Sequence, residues 1–407
     1  MAATIKFSGD GQAGNLLDPK NWVGGVVPGI TDSALITMNV GGPVGGVFSV
    51  NNVMLLGAES IKFTGTLDTA GVGACQGLMV CEGATATFAP GAVLNDGNVL
   101  IVGNDGVGTM VAQGSGTIHS VIDTVDANIG KEAAGVGTLT IDDAIWRNSG
   151  HAVIGDDGSG TLNVIDKASV TFTGGVDMAD DTGSHGTLTI ASGGTVTVGL
   201  ALCVGDAAPK SFGTASVNVE SGSTLTVGSA LEIGTGSELT IAGGTVTGGA
   251  LADCVYVRTG GEISGYGLLT TRAGAAIDDD GTILATGGTL RVGGNVGGQG
   301  SIQIAANSTA LLTGTTLGLS SIAFVGVDAT LSLAHGAKVA AAISGFGIGD
   351  IIDMANIDAV SFNAATGALA LSDNGVKVDS LHMVGSFTGD TFSVSHSMIT
   401  LGHSLTG

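Results

Sequence analysis

The chain has 407 residues, 43% of them hydrophobic, with 73 Gly, 5 Pro and a formal net charge of −23 from 35 acidic and 12 basic residues. Gly runs at more than twice its usual share of about 7%. With aromatic residues at 4%, this composition excludes a fold of long helices. The surplus of carboxylates excludes nucleic acid and anionic lipid as partners and favours cations, and no run of about 20 apolar residues is present to span a membrane.

Residues 1–50 read as an N-terminal cap. Met1-Ala2-Ala3-Thr4-Ile5-Lys6 passes directly into polar, Gly-rich sequence with no apolar h-region, so any export is expected to proceed without an N-terminal signal peptide. Pro19, Pro28 and Pro43 lie here with Trp22. The segment reads as a turn, an aromatic plug and a first strand. A stack of coils needs such a plug, because its end exposes an apolar cross-section and unpaired strand edges.

Residues 51–340 read as continuous coils. Six copies of one phrase begin at Val102-Gly103-Asn104-Asp105, Ile129-Gly130-Lys131-Glu132, Ile154-Gly155-Asp156-Asp157, Met178-Ala179-Asp180-Asp181, Val204-Gly205-Asp206 and Ile233-Gly234-Thr235, with starts 27, 25, 24, 26 and 29 residues apart. Each continues through polar residues to Gly-Thr (Gly-Ser in the last) and an alternating strand such as Thr138-Leu139-Thr140-Ile141. A period in the twenties with period-2 strands inside it is the mark of a solenoid. The expected fold is all-β, a single-stack β-solenoid (parallel β-helix) with N- and C-terminal capping modules. After residue 257 the phrase loosens. Lys338–Ile343 reads as one helical turn, and residues 341–407, with Phe346, Phe362, Phe387 and Phe392, read as a C-terminal β cap. The four cysteines suit a packed interior; Cys75 and Cys81 are also close enough in sequence to pair across a turn.

Two segments carry a resemblance. Asn21-Trp22-x-Gly-Gly-x-x-Pro28-Gly29-x-x-Asp32-x-Ala34-x-Ile36 resembles the start of many bacterial secreted β-solenoids, including autotransporter-like passengers. Ile343-Ser344-Gly345-Phe346-x-x-Gly349-Asp350-x-Ile352-Asp353-Met354, followed by Val384-Gly385-Ser386-Phe387-Thr388-Gly389-Asp390, resembles the C-terminal region of type I-secreted surface proteins, where such a segment precedes an export signal. The resemblance implies an extracellular or cell-surface protein among adhesins, surface-layer and matrix proteins or exoenzymes. The Gly-Gly-x-Gly-x-Asp calcium nonapeptide of β-rolls is absent; Gly293-Gly294-Asn295-Val296-Gly297-Gly298 lacks the Asp.

Aligned copies place Asn104, Lys131, Asp156, Asp180 and Asp206 in one column, with Asp105, Glu132, Asp157 and Asp181 beside it. Stacked coils set such neighbours ~5 Å apart, where like charges repel. Solvated turns, neutralisation by Lys131, splayed loops and bridging Ca²⁺ are the available resolutions. The candidate metal ligands are therefore Asp105, Glu132, Asp156, Asp157, Asp180, Asp181 and Asp206, to which the resemblance adds Asp350 and Asp353. Asp278-Asp279-Asp280 carries the same ambiguity. Asp180-Asp181…His185-Gly186 is too closely spaced to match the acid pairs of β-helical polygalacturonases. No catalytic cluster emerges. The expected function is a non-enzymatic structural or adhesive protein, calcium-stabilised in the sense that the acidic column asks for cations. It would self-associate end to end into a filament, surface layer or biofilm matrix and contact cell-surface glycans. The alternative is a polysaccharide-binding or polysaccharide-degrading β-helix protein.

Overall fold

A computed structural model describes residues 3–57, 59–70, 77–205, 213–251, 253–272 and 274–403. The chain is a β-solenoid of stacked parallel coils, divided into two compact units, Met1–Gly228 and Ser229–Gly407.

In the first unit each turn contributes three strands. One coil comprises Ser159–Ile165, Ser169–Phe172 and Val176–Met178. Each lies parallel on its counterpart in the next coil, Ser159 on His185, Ser169 on Thr195 and Val176 on Leu202. Three parallel sheets thus enclose one core. Alternation decides which side chains enter it: Leu162, Val164, Leu188 and Ile190 are buried while the intervening Thr and Asn face outward. One coil cannot cover its own apolar face, so the core exists only because coils stack.

The register follows the sequence repeat. Val102 pairs with Ile129, Ile129 with Ile154, Ile154 with Met178 and Met178 with Val204. The conserved spelling of the phrase has a steric cause. Gly103, Gly130, Gly155 and Gly205 have φ of +73°, +76°, +78° and +66°, the left-handed region that disfavours a Cβ. A Cβ on Gly130 or Gly155 would also collide with the carbonyl of Ser159 or His185. The glycine of Gly-Thr is needed for a different reason: a Cβ on Gly137, Gly160 or Gly186 would strike the carbonyl of Val102, Ile129 or Ile154 in the coil before it. The fifth copy departs from this spelling. Thr214 pairs with His185, so Ala215-Ser216, not Gly213-Thr214, stands where Gly186-Thr187 stands below it.

The expected plug is present. Asp18 caps a 3₁₀ turn at Pro19–Asn21, its Oδ1 accepting from the Lys20 N–H at 3.0 Å. Trp22 is buried, donates through Nε1 to the Leu16 carbonyl at 2.8 Å and stacks on Phe48 at 5.9 Å. The first strand, Thr4–Lys6, lies parallel to Ser33–Ile36. Its far side is partly closed by the Val23 N–H, which donates to the Lys6 carbonyl at 2.9 Å.

In the second unit the coils are shorter. Thr282, Ser301, Ser321 and Ala342 stack in succession, steps of 19, 20 and 21 residues in the sequence, which is why the longer phrase fades there. Lys338–Ile343 is not a helical turn: Val339 bridges in parallel to Thr316, and Ala342–Ser344 is a strand. Parallel stacking runs to Ile351–Met354 on Thr330–Leu333 and to Val376–Val384 on Ala342–Ser344. Antiparallel strands then close the coil edge. Ala359–Asn363, Ala368–Asp373 and Val376–Val384 form a meander, and Met398–His403 runs antiparallel to both Asp390–Ser395 and Ile351–Met354. Phe346, Phe362, Phe387 and Phe392 pack under this cap with ring centroids 4.9–6.0 Å apart.

Ala179 occupies the left-handed position of its copy with φ +57°. Ala179→Gly is expected to stabilise the protein by about 1 kcal/mol, and Gly155→Ala to destabilise it by more than about 2 kcal/mol. Chemical denaturation of both variants checks the pair; equal effects of the same sign would contradict the steric account.

Candidate functional site

The acidic turns join the third sheet of one coil to the first sheet of the next, and their backbones stack as closely as the strands do. The N–H groups of Lys131 and Glu132 donate to Gly103 and Asn104, both at 2.9 Å. Those of Asp156 and Asp157 donate to Gly130 and Lys131 at 3.0 and 2.9 Å, and those of Asp180 and Asp181 to Gly155 and Asp156 at 2.9 and 3.2 Å. The turns therefore do not splay over these rungs, and from Asn104 to Asp181 the two columns read from the sequence are real columns.

The side chains relieve the crowding unequally. Lys131 approaches Glu132 in its own turn at 3.9 Å. Asp156 turns aside and accepts from Asn128 Nδ2 at 2.7 Å. Asp157 and Asp181, both exposed, are left facing each other; a hydrogen bond between their carboxyls, with the nearby charges of Asp181, Asp156 and Glu132, raises Asp157 above the usual carboxylate range. Asp105 is exposed on the first rung. Among the described residues no three His, Cys, Asp or Glu side chains converge as a closed metal site. Asp206 lies outside the described residues.

The remaining candidates do not join this column. Asp350, buried in the second unit, accepts from the N–H groups of Ala329 at 3.0 Å and Gly347 at 2.8 Å, which occupies both carboxylate oxygens in clamping a turn. Asp353 lies on a strand and accepts from Ser332 Oγ at 3.1 Å. Asp279 is fully buried, whereas Asp278 and Asp280 on either side are partly exposed. Its Oδ1 accepts from the Gly281 N–H at 3.0 Å and its Oδ2 has no partner among the described residues. Burial pushes its carboxyl up to about 7. Cys81 and Cys254 are buried, and desolvation pushes both thiols up to about 11. The Cys75–Cys81 pairing falls outside the described residues at Cys75. A feature missed in the sequence is His151, whose Nε2 lies 2.9 Å from Asp177 one coil later; this hydrogen bond raises the imidazole and lowers the carboxyl.

A second site lies in the first unit, at the corner between the second and third sheets. There the coils leave a groove of about 800 Å³. Register stacks Ser49, Asp68, Asn95, Asp123 and Arg147 as its outer row. Ser49 Oγ donates to Asp68 at 3.0 Å, Asn95 Nδ2 donates to Asp68 at 2.6 Å, and Arg147 reaches both oxygens of Asp123 at 3.1 and 3.3 Å. One residue further along each strand, Thr69, Asp96, Thr124 and Asn148 form an inner row, all buried, where the flanking coils place Val50 and Phe172. Asp96 accepts from the N–H groups of Leu78 at 2.9 Å and Asn98 at 3.0 Å, and burial still raises it. Trp146 Nε1 and Asn148 Nδ2 both donate to Thr124 Oγ1 at 3.0 Å, and Asn148 Oδ1 is left without a partner. The legible signal was Asp, Thr and Asn at inward strand positions that other coils fill with Val and Phe.

No known family model matches the chain, and no curated protein matches it significantly.

Asp279 supplies a pH test of the buried carboxyl. Folding holds its proton up to about pH 7, whereas the unfolded chain releases it near the ordinary 3.8. The associated stability is complete below that lower value and declines as pH rises towards 7. Asp279→Asn removes the ionisation. Its melting temperature is expected to exceed the wild type's most at pH 8, by the equivalent of a few kcal/mol, and the gap to shrink towards pH 4. A gap that does not change with pH would contradict the assignment.

Proposed function

We propose that this chain is an extracellular, non-enzymatic structural or adhesive β-solenoid that associates with copies of itself, sideways through Ca²⁺, in a filament, surface layer or matrix. The observation that carries the proposal is the exposed Asp157–Asp181 carboxyl pair, held by the turn ladder and flanked by Asp156 and Glu132. Ca²⁺ takes six to eight oxygens in flexible geometry. Two carboxylates supply only part of that set, and the carboxylates of a second copy can supply more. With only 12 basic residues against 35 acidic ones, internal ion pairs leave most of the charge for cations to neutralise.

Sideways contact is favoured over end-to-end contact because the first strand and the last coil carry covers. The Trp22 segment lies along the first strand, and Met398–His403, antiparallel, and Val376–Val384, parallel, close the last coil. Covered edges resist templated strand addition. The resemblance of Ile343–Met354 and Val384–Asp390 to type I-secreted surface proteins supports a location outside the cell, where calcium is abundant. The groove beside Asp123 and Arg147 favours a second reading, polysaccharide recognition.

Millimolar Ca²⁺ is expected to raise the melting temperature relative to EDTA and to increase light scattering. Asp157→Asn with Asp181→Asn is expected to remove most of both effects while leaving the melting temperature in EDTA unchanged or higher, since it removes a like-charge contact. Identical melting and scattering in Ca²⁺ and EDTA would overturn the calcium-linked association.

A further inference from the structure

The groove at the corner of the second and third sheets is chemically separate from the acidic turns, which lie at the corner of the third and first. Its outer row repeats once per coil, and Ser49 to Arg147 covers five rungs, four steps that span about 19 Å at the spacing of a β-ladder. That spacing is close to the advance of one sugar in an extended, β-1,4-linked glycan. The rows supply what a pyranose needs. Carboxylates of Asp68 and Asp123 accept from hydroxyls, while Asn95 and Arg147 donate to them. Ile30 and Val125, 64% and 39% exposed on the lip, offer apolar surface to the C–H face of the ring.

Two further observations mark this corner as built for a ligand. Asn148 lines the groove at 1% exposure, and its Oδ1 has no partner. A buried acceptor left unpaired is costly, and a hydroxyl donor relieves it. The floor is also polar along a whole row, Thr69 to Asn148, where adjacent coils continue the hydrophobic core with Val50 and Phe172.

The lining charges select among glycans. Asp68, Asp96 and Asp123 face a single guanidinium, Arg147, which is already paired with Asp123. A uronate or sulfated chain meets net repulsion here. We propose that this groove binds a neutral β-1,4-linked hexose polymer laid along the stacking axis, one sugar per coil. The inference does not depend on the calcium-linked association, since it uses different residues at a different corner.

The test is calorimetric titration of the full chain, in EDTA, with β-1,4-linked gluco- and manno-oligosaccharides of two to six units and with polygalacturonate. At least one neutral series is expected to bind saturably, with affinity rising to about five units and then levelling off, as the five-rung row implies. Asn95→Ala, at an exposed position, is expected to weaken binding at least about tenfold. Ala70→Trp, which fills the exposed lip, is expected to abolish it, with both variants melting as the wild type does. Polygalacturonate is expected not to bind. The proposal is overturned if neither neutral series binds, if both variants bind as tightly as the wild type, or if polygalacturonate binds better than the neutral chains. Sedimentation of the same preparations in Ca²⁺ reads association separately, so failure of one idea is distinguishable from failure of the other.

Discussion

The first unit depends on one constraint: the N–H···O=C ladder between coils continues through the turns from the third sheet to the first. In strands such a ladder is routine. In turns it demands that successive coils follow the same backbone path, residue for residue. The left-handed position at Gly103, Gly130 and Gly155 is repeated because the path is repeated. The Gly of Gly-Thr recurs because each strand start runs against the preceding coil's carbonyl. The same constraint stacks Glu132, Asp157 and Asp181 on consecutive rungs, with no freedom for the backbone to separate them.

That is why the coil architecture was legible in the sequence. Sterics forced nearly one spelling on the copies, so aligning the spellings recovered the pairing of Val102, Ile129, Ile154, Met178 and Val204. Legibility ended where the constraint relaxed. Gly213-Thr214 looks like the phrase but sits two residues early, because Ala215 is tolerated at the close approach. The second unit packs Ile283, Ile302, Ile322 and Ile343 in shorter coils, and the turns before Ile302, Ile322 and Ile343 carry no acidic residue to mark them.

Site residues were harder to read than the fold because one residue type serves opposite purposes. An Asp in a Gly-rich turn looks the same whether it clamps backbone N–H groups, as Asp350 does, or stands exposed against another carboxyl, as Asp157 does. Only burial separates them. The inner row of the groove escaped notice for a related reason. Asp96 and Asn148 keep the in-out alternation of their strands but put a polar residue at an inward position, so each strand reads as ending one residue early. Their polarity shows only when each is compared with the residue above and below it, which requires the register in the second sheet, where no repeated phrase announces it.

The account of function joins three features: an acidic ladder with few internal cations, strand edges with covers, and a polar groove whose spacing follows the coil. The first two favour association through side-chain carboxylates over strand addition. Negative-stain microscopy of the purified protein at high concentration, with Ca²⁺ and with EDTA, tests this most directly. The account predicts ordered lateral assemblies in Ca²⁺ that disperse in EDTA. Single particles under both conditions, or assemblies indifferent to EDTA, would contradict it.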